Sequence, residues 1–137
     1  RRIAHRLGHR FRLHRADLPG KPDIVFPRFG KVVFVHGCFW HQHRRCRKGS
    51  MPQSNTEFWR SKLQRNVQRD AENLVALKAI GWKVLVIWEC ETNDEAQIEK
   101  KITAIPWRLG SQVYNSLKFR WNRVGKQKPF THPTDVL

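Results

Sequence analysis

The sequence predicts an α/β fold in which helices pack on a central sheet. Two apolar segments rich in β-branched residues, 31–35 and 82–89, are predicted to be strands, and the first of them is predicted to be buried on both faces. A long helical pattern lies between them, so the segments form one strand–helix–strand unit. The chain has 137 residues, which is enough for one such domain and too few for two.

The remaining elements are short and follow in chain order. Residues 1–9 are predicted to be the end of a basic helix, and residues 11–13 a short strand. The Leu-Pro-Gly-Lys-Pro turn at 18–22 is rigid and leads directly into an apolar strand at 24–26. Residues 94–103 are predicted to form a second, short helix after the last strand.

The long helix carries one residue that its apolar face does not explain. Ser54 and Glu57 have the spacing of a capping box and predict that the helix begins there. Asp70 lies on a stripe whose other members are Leu63, Val67, Leu74 and Leu77. A carboxylate on such a stripe must find a partner or stay protonated, so we expect Asp70 to contact a polar group.

Positive charge dominates both ends of the chain. Lys and Arg together number 27 against 11 acidic residues, a net charge of +16. Residues 1–50 hold 13 basic and 2 acidic residues, residues 51–102 hold 8 of each, and residues 103–137 hold 6 and 1. This predicts a polyanionic partner, although charge alone does not separate DNA from RNA or exclude a generic basic surface. No apolar run approaches membrane-spanning length, and no signal peptide is found.

Cysteine and histidine predict a metal site. Three cysteines are an odd count, which favours an intracellular metal site over a disulfide framework. Cys38, His43 and Cys46 share one loop after the strand at 31–35, and Cys90 follows the later strand. If these strands are parallel neighbours, the four side chains meet and can bind a structural zinc ion. The alternative is reduced, buried cysteines beside unrelated histidines. The other histidines considered, His5, His9, His14 and His132, are interpreted as solvated residues of the basic surface.

Four motifs together resemble the very short patch repair (Vsr) endonucleases. They are Leu18 to Asp23, Phe34 to His41, Phe58-Trp59 with Asn66 and Asp70, and Val86 to Cys90. The resemblance covers about residues 10–92, and the string His-Gly-Cys-Phe-Trp-His at 36–41 is highly specific.

This resemblance implies a restriction-endonuclease-like single domain, with a central mixed sheet flanked by helices and a structural zinc. It implies Mg²⁺-dependent nicking of double-stranded DNA 5′ of the T in a T:G mismatch, which arises when 5-methylcytosine deaminates. It also implies contact with MutL and MutS. We therefore expect an endonuclease domain at 1–103, monomeric, cytoplasmic and nucleoid-associated, and a basic, aromatic extension at 104–137.

Five residues are candidates for the catalytic site. Asp23 starts a strand after a rigid turn and is placed to hold Mg²⁺, although taken alone a turn-capping Asp is the simpler interpretation. The resemblance implies that Asp23 is a Mg²⁺ ligand and that the backbone carbonyl of Val35 is a second ligand. The family commonly has Thr at the position of Val35. His41 is fixed between metal ligands without being one, which suits a general base, and the resemblance places the Asp70 carboxylate beside it. His36 is assigned to the phosphate or the leaving oxygen, with a supporting role at the zinc site as its alternative.

Aromatic side chains in the metal loop predict contact with DNA bases. Phe39 and Trp40 are adjacent, and both cannot easily turn into the core from so tight a loop. Insertion between base pairs is a physical use for them. The resemblance adds Trp59 as a third intercalating residue and Asn66 as a polar contact near the site. Core packing is assigned to Trp82 and Trp88.

The chain begins at Arg1 rather than Met, and we expect it to be a fragment. The family carries a glutamate on an N-terminal helix that helps to hold metal-bound waters, and its position would lie upstream of Arg1. We therefore expect reduced or no activity. Two alternatives to mismatch nicking are a related nuclease of a restriction–modification system with another specificity, and a zinc-stabilised nucleic-acid-binding module without catalysis. Simple binding does not need the catalytic candidates, which argues against the second.

Overall fold

The computed structural model describes residues 1–44 and 46–104. In this part of the chain four strands and three α-helices alternate with short 3₁₀ turns. The strands are β1 (Arg12–Leu13), β2 (Ile24–Phe26), β3 (Lys31–His36) and β4 (Lys83–Trp88). The helices are α1 (Arg2–Arg6), α2 (Thr56–Ala79) and α3 (Glu95–Ala104).

The strands form one mixed sheet in the order β1-β2-β3-β4. The first two pairs are antiparallel, whereas β3 and β4 are parallel and are joined through α2. Their register runs from Lys31 opposite Lys83 to His36 opposite Trp88. The expectation of a mixed sheet with helices packed on it is confirmed, and so is the parallel pairing on which the metal site depends.

Helices cover both faces of the sheet. On one face α1 and α3 pack side by side, and their buried residues join those of the strands in one core: Ile3, Ala4, Ile24, Phe26, Val33, Ile87, Ile98 and Ile102. On the other face α2 packs through Leu77 against Val25, Val32 and Phe34. The alternation of these side chains along β2 and β3 explains why both strands read as apolar throughout.

The start of α2 differs from the sequence-based expectation. The helix begins at Thr56, and its N-cap is Asn55 in the left-handed region at φ 50° with no side-chain capping bond. The predicted Ser54–Glu57 capping box is therefore wrong. Asparagine tolerates the left-handed conformation better than most residues, so the chain turns sharply there before the helix begins.

The prediction that the strand at 31–35 is buried on both faces holds for its first four residues. Val35 is 43% exposed because it lies near the end of β3, where the sheet opens to the surface beside Asp23. In the part of the chain that the structure describes, no helix is long and apolar enough to cross a membrane. The predicted extension lies, beyond its first residue, outside the described residues.

Candidate active site and metal cluster

The parallel pairing of β3 and β4 brings the chemically active residues to one edge of the sheet. Both strands end at the same edge, with His36 and Trp88 as the last paired residues. Cys38 follows β3 by two residues, and Cys90 follows β4 by two residues. Because the two strands have the same direction and register, their continuations enter the same region, although 52 residues separate the two cysteines along the chain.

Cys38, His43, Cys46 and Cys90 form a compact cluster. Their ligand atoms all lie within 4.8 Å of one another. His43 Nδ1 is 3.7 Å from Cys38 Sγ and 3.4 Å from Cys90 Sγ. In a tetrahedral zinc site with ordinary bond lengths, sulfur and nitrogen ligands are about 3.5 Å apart, so the four side chains fit a metal ion. The sequence prediction that these residues meet is confirmed.

The loop that carries three of the ligands is held closed by backbone contacts. A side chain at Gly49 would bring its Cβ within 2.6 Å of the His43 carbonyl oxygen, so only glycine allows this approach. The Cys38 N–H donates to Glu89 Oε2 at 3.3 Å, and Lys48 Nζ lies 3.2 Å from Glu89 Oε1. The Lys48 ammonium and the Cys38 amide lower the pKa of Glu89, which keeps this carboxylate charged as a link between the loop and the end of β4.

Asp23 is fixed at the same edge of the sheet through a neighbouring strand. Its Oδ2 accepts a hydrogen bond from the Val35 N–H at 2.7 Å. This bond ties the end of the Leu-Pro-Gly-Lys-Pro turn to the exposed end of β3. The carboxylate is therefore held in place while Oδ1 remains available to another group.

His41 and Asp70 form a hydrogen-bonded pair, His41 Nδ1 with Asp70 Oδ2. Since an ionised carboxylate only accepts, Nδ1 carries the proton of this bond, and Nε2 has a free lone pair in the neutral form of the ring. Both side chains are partly buried, at 26% and 22% exposure. The partner expected for Asp70, the one carboxylate on an apolar helix stripe, is thus this imidazole.

His36 lies against His41. The two rings are stacked with centroids 3.9 Å apart and an interplanar angle of 11°. Burial lowers the pKa of His36, and the neighbouring His41 lowers it further, while Asp70 and Asp23 act in the opposite direction. His36 is therefore biased towards the neutral form, in which one ring nitrogen donates and the other accepts.

Trp88 connects the metal cluster to these two histidines. Its ring stacks on His43 at 4.2 Å and 6°, and meets the edge of His36 at 5.4 Å and 77°. Assignment of Trp88 to the core alone is therefore wrong, because its half-buried ring separates two polar sites. Trp82 does pack against the core beneath α2, as predicted.

A cavity of about 220 Å³ opens between the turn at 18–22, the end of β3 and α2. Its lining includes Lys21, Asp23, Val35, His36, His41 and Asp70. The structure thus brings together the five candidate residues for the catalytic site: Asp23, Val35, His36, His41 and Asp70. One carboxylate and one histidine–carboxylate pair face a common space large enough for a phosphate group.

Four aromatic rings, which we name the aromatic cluster, adjoin this site: Phe39, Trp40, Phe58 and Trp59. Successive ring centroids lie 5.1 to 6.0 Å apart. Trp40 is 45% exposed and Phe58 is 57% exposed. Large apolar surface left open to water in this way is typical of a binding site.

A cation and an amide border the aromatic cluster. Lys62 Nζ lies 5.4 to 5.6 Å from the ring centres of Trp40, Phe58 and Trp59. Asn66 Nδ2 donates to the Trp40 carbonyl at 3.4 Å, so the predicted polar residue does lie beside the predicted intercalating loop. Sequence reasoning missed Lys62, although its spacing from Trp59 and Asn66 on one helix places it between them.

Sequence reasoning also missed His14. His14 is exposed, as predicted, but its Nδ1 lies 3.9 Å from Asp23 Oδ1, a contact that was not expected. Pairing of Leu13 with Ile24 across β1 and β2 brings the two side chains together. No local sequence signal reports this contact, because it depends on the register of a two-residue strand.

A fixed carboxylate beside a histidine–carboxylate pair, at the edge of a mixed sheet in a strongly basic chain, is an arrangement typical of a nuclease that hydrolyses phosphodiester bonds. The family model for DNA mismatch endonuclease Vsr matches residues 1–48. The Type II nicking enzyme V.XorIIP of Xanthomonas oryzae is 50% identical over 105 residues, which cover 77% of this chain and 76% of the relative.

Two further relatives agree. The Type II nicking enzyme V.NmeAIP of Neisseria meningitidis is 44% identical over 98 residues, covering 72% of this chain and 69% of the relative. The DNA mismatch endonuclease Vsr of Escherichia coli is 42% identical over 99 residues, covering 68% and 63%. The chain belongs to the Vsr family of DNA endonucleases, and its mixed sheet with flanking helices is consistent with the restriction-endonuclease-like fold of that family.

Proposed function

We propose that this chain nicks one strand of double-stranded DNA 5′ of the T in a T:G mismatch, by Mg²⁺-dependent hydrolysis. The observation that carries the proposal is the cavity in which Asp23 faces the His41–Asp70 pair. Phosphodiester hydrolysis needs an activated water, neutralised phosphate charge and help for the leaving oxygen. The cavity offers a residue for each requirement.

Asp23 and the backbone carbonyl of Val35 are the groups that we assign to the cation. Asp23 fits, because the Val35 N–H fixes one carboxylate oxygen and leaves Oδ1 for an ion. Carboxylate and carbonyl oxygens are the ligands that Mg²⁺ prefers. The change from the threonine common in the family to Val35 keeps a carbonyl ligand. Bound there, Mg²⁺ supplies charge neutralisation at the phosphate.

His41 is the proposed general base. Its Nε2 keeps a lone pair because Asp70 holds the proton on Nδ1, so Nε2 accepts a proton from the attacking water. Asp70 positions the imidazole and stabilises the imidazolium that forms. His36, stacked on His41 and biased towards the neutral form, donates one N–H to a phosphate oxygen or to the leaving oxygen.

Zinc is the ion that we propose for the Cys38, His43, Cys46 and Cys90 cluster. Three thiolates and one imidazole are a donor set that zinc binds in tetrahedral structural sites. Four protein ligands fill the coordination shell, so this ion holds the loop in place and leaves the chemistry to the Asp23 site. Removal from solvent and the neighbouring thiols of Cys38 and Cys46 raise the pKa of Cys90 to about 11, so ion binding there displaces a proton.

The experiment that tests the function uses 5′-labelled duplexes with T:G, A:C or no mismatch in the same sequence. With enzyme in excess over DNA, we expect nicking of the T-containing strand of the T:G duplex only when Mg²⁺ is added. The rate on the other two duplexes is expected to be at least about tenfold lower, as one lost specific base contact is worth roughly 1–3 kcal/mol. Equal nicking of all three, or none above that of Asp23→Asn, contradicts the proposal.

The aromatic cluster is proposed to recognise the mismatch by inserting into the base stack. Replacing both Phe39 and Trp40 by alanine is expected to weaken binding to the T:G duplex about tenfold or more, because base–aromatic stacking contributes roughly 1–3 kcal/mol per base. Binding to the matched duplex is expected to change much less. Fluorescence anisotropy measures both affinities, and Val75→Ala, at an exposed apolar position of α2, is the control. Equal losses on the two duplexes count against insertion.

A second candidate is a nicking enzyme tied to a restriction–modification system. The names of two of the three reported relatives, V.XorIIP and V.NmeAIP, favour it, since both are called Type II nicking enzymes. On this second hypothesis the enzyme prefers another flanking sequence or another mismatch. Sequencing the products of a T:G duplex library with randomised flanking bases separates the two candidates.

The remaining parts of the proposal concern organisation and partners. We propose that residues 1–103 are the endonuclease domain, acting as a monomer, and that residues 104–137 are a separate basic extension. Contact with MutL and MutS is proposed by similarity to the family. Co-purification of each protein with this chain in the presence of mismatched DNA tests that contact.

A further inference from the structure

His14 lies beside the proposed cation site in an unusual backbone conformation. It follows β1 directly and adopts φ 45°, in the left-handed region that residues other than glycine rarely occupy. Its backbone N–H donates to the Asp23 carbonyl at 3.4 Å. Strained backbone of this kind concentrates at functional sites, where the surrounding structure holds it in place. Here the pairing of Leu13 with Ile24 holds it next to Asp23.

The two carboxylate oxygens of Asp23 have different surroundings. Oδ2 is taken by the Val35 N–H at 2.7 Å, whereas Oδ1 faces His14 Nδ1 at 3.9 Å. A separation of 3.9 Å is too long for a direct hydrogen bond. An oxygen atom to one side of the line between the two atoms can lie within hydrogen-bond distance of both.

The other ring nitrogen of His14 indicates where its proton lies. An Arg1 guanidinium nitrogen is 3.4 Å from His14 Nε2. Since a guanidinium only donates, Nε2 accepts, and the neutral imidazole carries its hydrogen on Nδ1, towards Asp23. His14 therefore presents a donor to whatever is bound at Oδ1.

We propose that His14 belongs to the catalytic cation site and donates a hydrogen bond from Nδ1 to a water molecule held by the cation on Asp23. Adjacent ligands of an octahedral Mg²⁺ lie about 3 Å apart, so a bound water next to Oδ1 falls within reach of His14. The inference rests on the proposed cation at Asp23. It assigns a role in water positioning to a residue that directly follows β1, outside the motifs at 18–23 and 34–41.

Manganese binding to the zinc-loaded protein tests this without turnover. Mn²⁺ replaces Mg²⁺ in oxygen-rich sites, and the free ion is measured by its electron paramagnetic resonance signal. His14→Gly removes the imidazole and tolerates the left-handed backbone, and is expected to raise the Mn²⁺ dissociation constant about tenfold, as losses of supporting hydrogen bonds do at metal sites. His14→Gln keeps an N–H donor and is expected to recover most of the affinity.

Two further variants make the result interpretable. His5→Gln, at an exposed histidine of α1, is expected to bind Mn²⁺ like the unaltered protein. Asp23→Asn is expected to abolish the site. Unchanged affinity in His14→Gly, or equal weakness in His14→Gly and His14→Gln, overturns the role of His14. Full affinity in Asp23→Asn instead places the cation elsewhere, which refutes the proposed cation site. Thermal unfolding of each variant verifies that it is folded.

Discussion

Replacing His41 by alanine is expected to lower the single-turnover nicking rate by about 10²- to 10⁴-fold, the usual contribution of a positioned general base. The physical reason is that Nε2 is the ring nitrogen of His41 that can accept a proton, since Nδ1 donates to the Asp70 carboxylate. DNA affinity is expected to change little, because the proton is transferred only in the chemical step. Quenched-flow kinetics on the T:G duplex measures the rate, and anisotropy measures the affinity.

Two further variants test whether the loss of rate in His41→Ala reflects the loss of the general base. Asp70→Asn keeps the size of the side chain but offers an amide in place of a carboxylate, so it is expected to lower the rate and to leave binding unaltered. His5→Ala, at an exposed histidine of α1, is expected to retain the full rate. If His41→Ala nicks at more than about a third of the original rate, the base is another group.

Removing the metal cluster is expected to have the largest effect on stability. Structural zinc binds small domains with about 10–16 kcal/mol, and that free energy is part of the folding free energy. Cys90→Ser removes a ligand that joins the end of β4 to a loop more than 40 residues earlier in the chain. We expect the free energy of unfolding to fall by several kcal/mol, and the melting temperature to fall by more than about 10 °C.

Calorimetry together with zinc analysis checks this expectation. Cys90→His offers another ligand that zinc accepts, so it is expected to keep part of the metal and part of the stability. A chelator is expected to bring the unaltered protein to the melting temperature of Cys90→Ser. If Cys90→Ser keeps one zinc per chain and the original melting temperature, the cluster is not a four-ligand structural site.

Much of the site could be predicted because its residues are marked by their surroundings in the sequence. Asp70 is a charged residue on an otherwise apolar helix stripe, which predicts a polar contact, and the structure shows that its partner is His41. Cys38 and Cys90 each follow an apolar strand, and parallel pairing of those strands was enough to bring them together. In both cases a local pattern and one topological step determine a long-range contact.

The contacts that escaped prediction depend on geometry that no local pattern records. His14 meets Asp23 through the register of a two-residue strand, and Phe58 joins the aromatic cluster through the angle at which α2 leaves its loop. The helix begins at Thr56 after a left-handed Asn55, a loop conformation that the Ser54–Glu57 pattern did not indicate.

The ring of Trp88 lies between two sites. It contacts His43 of the cysteine–histidine cluster and His36 of the stacked histidine pair. A smaller side chain in place of Trp88 would leave a cavity beside both sites, so a change made for one site also affects the other. If the cluster binds zinc as proposed, the ion helps to position His41, the proposed base, through the contacts of His43 with Trp88, of Trp88 with His36 and of His36 with His41. Trp88 thus links the stability of the cluster to the geometry of the proposed catalytic site, so substitutions that alter one are expected to alter the other.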